Sequence, residues 1–132
     1  MAAKKKQKRK KYYPRTTEKI IRKEFFLTEQ DQITCVYKKE GKEYIEVTNI
    51  SYEIKIAETW MTIVRYDSSH RYLHRHIRIS LDDIDEIIDI KIEQGSHHKW
   101  LTTAMSELRT NFIKHRRLFF ERSGVEDRKF MV

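Results

Sequence analysis

The sequence predicts an α+β domain: an antiparallel sheet of about five strands packed against one long C-terminal helix, with a short N-terminal helix and a disordered basic arm ahead of it. Three observations predict this. Between Ile33 and Ile92 several runs place apolar side chains at every second position, the period of a half-buried strand, and from Ser96 to Arg122 they recur at helical spacing with no proline or glycine. Residues 4–11, KKKQKRKK, concentrate seven basic side chains in a run with nothing apolar to bury. At 132 residues the chain has the length of one domain, and with 39% hydrophobic against 36% charged residues its core must be thin. A single sheet covered by one helix satisfies that balance, because each element keeps one face in water.

The arm is expected to span residues 1–15, the domain 16–122, and a short tail 123–132. After the arm, Thr16 or Thr17 is placed to cap a short helix carrying Ile20, Ile21, Phe25 and Phe26. ITCVYKK and YIEV, separated by EGK with Gly41 at its centre, read as a hairpin. ISYEIKI follows in clean alternation, with a bulge or a turn at Thr48 and Asn49 where the register shifts. WMTIVRY and LHRHIRIS pair as a second hairpin around the polar DSSHRY, and IIDIKIE supplies another strand because isoleucine dominates it. Ser96 caps the final helix, whose Leu101, Ala104, Met105, Leu108, Phe112 and Phe119 share a face, and Ser123 with Gly124 stops it.

The formal charge is +8, and the seven cations of residues 4–11 leave only +1 on residues 12–132. Lys4, Lys5, Lys6, Lys8, Arg9, Lys10 and Lys11 therefore form an electrostatic arm whose natural partner is a polyanion, with RNA favoured over DNA. Cys35 is the only cysteine, which excludes an internal disulfide and fits a reducing compartment. No apolar stretch follows the basic start as in a signal peptide, and none approaches the ~18 residues of a membrane span. A cytoplasmic protein without membrane insertion is expected.

Chemistry concentrates in RYDSSHRYLHRH, residues 65–76. On the return strand His74, His76 and Arg78 share one face, while Leu73, Arg75, Ile77 and Ile79 share the other. Ile77 and Ile79 need the core, so the histidines project away from it. On the preceding strand Arg65 and Asp67 share a face opposite to Tyr66, and hairpin register decides which of them meets the histidines. Two histidines two apart on a strand stand about 7 Å apart at the backbone, a spacing metal sites use, with Asp67, His70 or Asp82 as a third ligand. Arg71, Arg75 and Arg78 surround that pair and repel a cation, so no metal and no cofactor is expected; a metal-dependent enzyme at His74 and His76 is the weaker alternative.

Phosphate suits the same residues. RNA carries its own nucleophile in the 2′-hydroxyl, so cleavage needs a base, an acid and cations for the charge developing at phosphorus. Histidine serves either proton role near neutrality and arginine matches two phosphate oxygens. His97, His98, Lys99 and Trp100 lie at the helix N-terminus, where unpaired amide groups and the helix dipole favour an anion, and Lys114, His115, Arg116 and Arg117 form a basic patch further along it. A non-catalytic module that binds RNA or a protein partner through this hairpin is the competing expectation.

Val64, Arg65, Tyr66 and Asp67, then His70 and His74, resemble the motif V-R-Y-D-x-A-H-G-x-x-H of a group of small uncharacterised bacterial and archaeal proteins. AMSELRTNF, residues 104–112, stands where that group has A-x-x-D-L-x-x-N-[WF]. The pattern is distantly similar to the TumE-like toxins of toxin–antitoxin systems. The resemblance singles out Arg65, Tyr66, Asp67, His70 and His74 as the site residues; with the phosphate chemistry above, the sharper expectation is that they are catalytic in a metal-independent, toxin-like endoribonuclease, with an antitoxin or other protein as partner. Ser69 and Arg71 stand where the motif has alanine and glycine. Arg71, Arg75, His76, Arg78, Lys99, Lys114, Arg116 and Arg117, with the arm, are the expected nucleic-acid contacts.

Overall fold

A computed structural model of the chain describes residues 18–68, 73–82, 85–89 (backbone only) and 96–125. Six strands follow one another along the sheet in chain order: β1 Glu18–Phe26, β2 Asp31–Glu40, β3 Glu43–Ile56, β4 Thr59–Asp67, β5 His74–Arg78 and β6 Asp85–Asp89. Each pairs antiparallel with the next, and α1, His97–Ser123, closes the fold. The α+β architecture and the long C-terminal helix are those the sequence predicts. The basic arm and the last seven residues lie outside the described residues.

Residues 18–26 correct one expectation. They form β1, not a short helix, and add the sixth strand. Ile21 and Phe25 are four apart, which places them on one face of either element: four is close to a helical turn and is also an even number of strand positions. Pairing decides between them, since Phe25 lies opposite Ile33 and Ile21 opposite Tyr37, and both pack against the core. Ile20 and Phe26, on the opposite face, are exposed.

The turns follow from local chemistry. Gly41 adopts a left-handed conformation at φ 62° between β2 and β3, where a side chain is strained. Ala57 and Glu58 both hold positive φ, 51° and 66°, as a two-residue turn matching the sheet's twist requires, although neither is glycine. The irregularity at Thr48 is a bulge: Val36 pairs with Asn49 and Tyr37 with Val47, so Thr48 is extra and β3 runs on as one strand.

Ser96 caps α1 by accepting from the Lys99 amide at 3.1 Å, and Gly124, left-handed at φ 78°, ends it. Its 27 residues span about 40 Å. The helix lies over β3 and β4 and buries Trp100, Ala104, Leu108, Phe119 and Phe120 against Ile33, Ile50, Tyr52, Val64 and Tyr66. Among the described residues no helix is long and apolar enough to cross a membrane.

Candidate functional site

Register fixes which predicted residues meet. Tyr66 lies opposite Ile50 on β3 and Arg75 on β5, and Ile50 faces the helix, so Tyr66 and Arg75 face it too. Arg65 lies opposite Ser51 and His76, and Asp67 opposite His74, all on the sheet's other face. Strand alternation therefore parts the RYD run. Arg65 and Asp67 join the two histidines, while Tyr66 leaves them for the helix.

On the outer face, the Asp67 carboxylate stands 3.4 Å from His76 Nε2 and 3.9 Å from Arg65 Nε. His76 and Asp67 are partly exposed and Arg65 more so. His74 is 7% exposed, its ring centroid 6.4 Å from that of His76. The histidine in contact with the carboxylate is thus His76, and His74 is the enclosed one. Arg78 donates from Nε to the Thr62 carbonyl at 2.7 Å, which ties its side chain back to β4. Among the described residues no group of three histidine, cysteine or carboxylate side chains is placed to hold a metal ion.

The helix side carries a second polar cluster. Glu107 accepts from Tyr66 Oη at 2.5 Å through one oxygen; its other oxygen accepts from Asn111 Nδ2 at 3.1 Å and lies 2.7 Å from His115 Nε2. Arg75 Nη1 stands 4.0 Å away. Burial alone would raise the Glu107 carboxyl, but the bonds from His115, Tyr66 and Asn111 and the charge of His115 outweigh it and bring it down to about 2. Burial, then the bond and charge of Glu107, push the Tyr66 hydroxyl well above its ordinary value. Tyr66 is therefore a hydrogen-bond donor to Glu107, and its hydroxyl stays protonated across the neutral range.

Sequence reasoning missed this cluster as a unit. Its signal was present: Glu107, Asn111 and His115 are spaced four apart, one row along a helix face. Glu107 and Asn111 lie in AMSELRTNF and Tyr66 in VRYD, so the two stretches quoted for the resemblance meet at one carboxylate. A buried trio at the other end had no comparable signal. Asp31 accepts from Tyr52 Oη at 2.5 Å, pairs with Arg116 Nη1 at 2.6 Å, and accepts from the Thr28 hydroxyl.

Arg116 is thereby corrected as a nucleic-acid contact: only 6% exposed, it holds Asp31 and lies over the Phe120 ring. A helix turns about 100° per residue, so the run 114–117 cannot present one basic face. His115 and Arg116 point inward, while Lys114 and Arg117 are exposed. At the helix N-terminus Lys99 is exposed, His98 packs on Tyr44 with centroids 4.7 Å apart, and His97 meets Trp100 edge-on. Lys4, Lys5, Lys6, Lys8, Arg9, Lys10, Lys11, His70 and Arg71 lie outside the described residues.

These features define a class: a single-sheet α+β domain with an imidazole–carboxylate–guanidinium group on its outer face and a carboxylate-centred network beneath its helix. The chain belongs to the family described as "Domain of unknown function (DUF7718)", which it matches over residues 5–124. That range takes in most of the basic run and all the described residues but Val125. No curated protein and no solved structure matches the chain significantly.

Proposed function

We propose that the protein acts on RNA as a small, metal-independent endoribonuclease of the toxin type, working at the outer face of β4 and β5. One observation carries the reading: the Asp67 carboxylate contacts both the His76 imidazole and the Arg65 guanidinium on a solvent-facing surface. A carboxylate at Nε2 selects the tautomer with its proton there, which puts the lone pair of the neutral ring on Nδ1. That nitrogen takes the 2′-hydroxyl proton. The 2′-oxygen attacks the adjacent phosphorus, the bond to the 5′-oxygen breaks, and solvent water gives that oxygen its proton, leaving a 2′,3′-cyclic phosphate and a 5′-hydroxyl. Arg65 offsets the charge gathering on the phosphate oxygens.

The 3.4 Å contact is longer than an ideal hydrogen bond, as such contacts often are before substrate binds. The basic run supports the substrate class, since seven adjacent cations favour a polyanion and the family match includes most of them. The setting is then the cytoplasm, with an antitoxin or other protein partner. Burial of His74 favours a second reading, a module that binds RNA without cutting it, because it withdraws one of the two imidazoles from solvent.

The experiment is cleavage of RNA by the purified full chain in EDTA. Loss of about 100-fold or more in His76→Ala and Asp67→Asn, with RNA binding retained, is expected. Cleavage that persists in both variants refutes the assignment, and binding with no cleavage by the unmodified chain selects the second reading.

A further inference from the structure

Beneath the helix lies a site that the outer-face reading does not use. Between β5 and the C-terminal half of α1 is a cavity of about 360 Å³ lined by Arg75, Glu107, Asn111, Lys114, His115 and Arg122, with two aliphatic side chains, Ile77 and Leu118. Among the described residues its lining carries three cations, Arg75, Lys114 and Arg122, and one carboxylate. Both oxygens of that carboxylate are already engaged by Tyr66, Asn111 and His115, and Arg75 Nη1 reaches it only at 4.0 Å. Arg75 Nε is buried with no hydrogen-bond partner among the described residues. A buried donor of that kind is rare and marks a place where an acceptor belongs.

The helix dipole accounts for Arg122, which sits in the last turn, but not for Arg75, which comes from the sheet. Cations from two separate elements converge on one small volume. A guanidinium, an ammonium and a second guanidinium around a concave space with an aliphatic wall match a phosphoryl group on a small substituent. The volume lies near the lower end for small-molecule sites, too small for a length of duplex.

We propose that this cavity binds a phosphate monoester, with Arg75 from the sheet and Lys114 and Arg122 from the helix meeting the dianion's oxygens. The site faces away from the Asp67–His76 pair and stands whether or not that pair cleaves RNA. The phosphate belongs either to a free small molecule or to the 5′ end of an RNA chain.

The test titrates inorganic phosphate into the full-length protein at constant ionic strength, read by calorimetry and by the ring resonances of His115. A saturable shift is expected, weakened about tenfold in Lys114→Met, whose exposed position spares the fold, and similarly in Arg75→Gln. Arg22→Gln removes the same charge from exposed β1 and should leave the titration unchanged. No saturable shift, or equal weakening by Arg22→Gln and Lys114→Met, overturns the site. Competition by a 5′-mononucleotide alone assigns it to free phosphorylated molecules, and competition by a short 5′-phosphorylated RNA but not its unphosphorylated form assigns it to chain ends. Failure of both to displace phosphate overturns the monoester assignment.

Discussion

Replacing Glu107 by glutamine keeps the side chain's size and removes the charge on which Tyr66, Asn111 and His115 converge. The folded carboxyl titrates at about 2 against an ordinary value of 4.5, a difference worth about 3 kcal/mol at neutral pH. A fifth of the side chain stays in solvent, so the expected loss in Glu107→Gln is nearer 2 than 3 kcal/mol. The sign is fixed by the direction of the shift. A carboxyl depressed in the folded state contributes stability that is fully present above its unfolded value and is lost as pH falls through the folded value.

Urea denaturation followed by circular dichroism, run from pH 7 down to pH 3, measures both quantities. The gap between the unmodified chain and Glu107→Gln should hold constant above about pH 5.5 and narrow by more than half by pH 3. Subtracting the variant cancels the other carboxyls, so the narrowing reports Glu107. Curves that stay parallel throughout would show that the network does not hold the carboxylate, and the account of Tyr66 as its donor would fall with it.

Four further outcomes follow from single features. Asp31→Asn should cost about 3 to 5 kcal/mol in urea denaturation, because it leaves Arg116 buried at 6% exposure beside a neutral partner; a cost under about 1 kcal/mol would contradict a buried pair. Burial, opposed only by Lys23, pushes the Cys35 thiol up to about 11, so at pH 8 a thiol reagent should react slowly with the native chain and rapidly in urea. Substituting Asn-Gly for Ala57 and Glu58 should raise the thermal midpoint, since both positions hold positive φ; an unchanged midpoint would mean that the turn carries no such strain. Deleting residues 4–11 should weaken RNA binding and flatten its salt dependence, by a slope of up to about 5 for seven cations on a single strand.

The sheet was legible where one face is apolar and the other wet. ISYEIKI gave its register away because Ile50, Tyr52, Ile54 and Ile56 all need the core, and all four are buried. The helix was legible from its cap, its stop and its unbroken apolar row. β1 was not, because its apolar pairs at a separation of four fit both periods and only the partner strand β2 distinguishes them. Candidate residues were legible as types and faces but not as neighbours. Sequence assigns Arg65 and Asp67 to one face, yet only pairing with β5 brings Asp67 to His76. The Asp31–Arg116 pair joins residues 85 positions apart, and no local pattern encodes such a contact.

Alternation gives the central hairpin two roles with one set of residues. Along β4, Arg65 and Asp67 point outward and Tyr66 inward; along β5, His74 and His76 point outward and Arg75 inward. The inward pair meets Glu107, on the helix that lies over β3 and β4. A strand cannot slip by one residue without turning Tyr66 to solvent and Arg65 toward the core, so the Tyr66–Glu107 bond on β4, with Arg75 of β5 beside the same carboxylate, keeps Asp67 and His76 on one outer face. Tyr66 is on this account a positioning residue: it touches no group of the outer face, and its hydroxyl holds the strand on which that face is built. The described reactive side chains of RYDSSHRYLHRH are thus divided between two faces. On the outer face Arg65, Asp67 and His76 reach solvent while His74 is buried, and inward-facing Arg75 borders a cationic cavity that suits a single phosphoryl group.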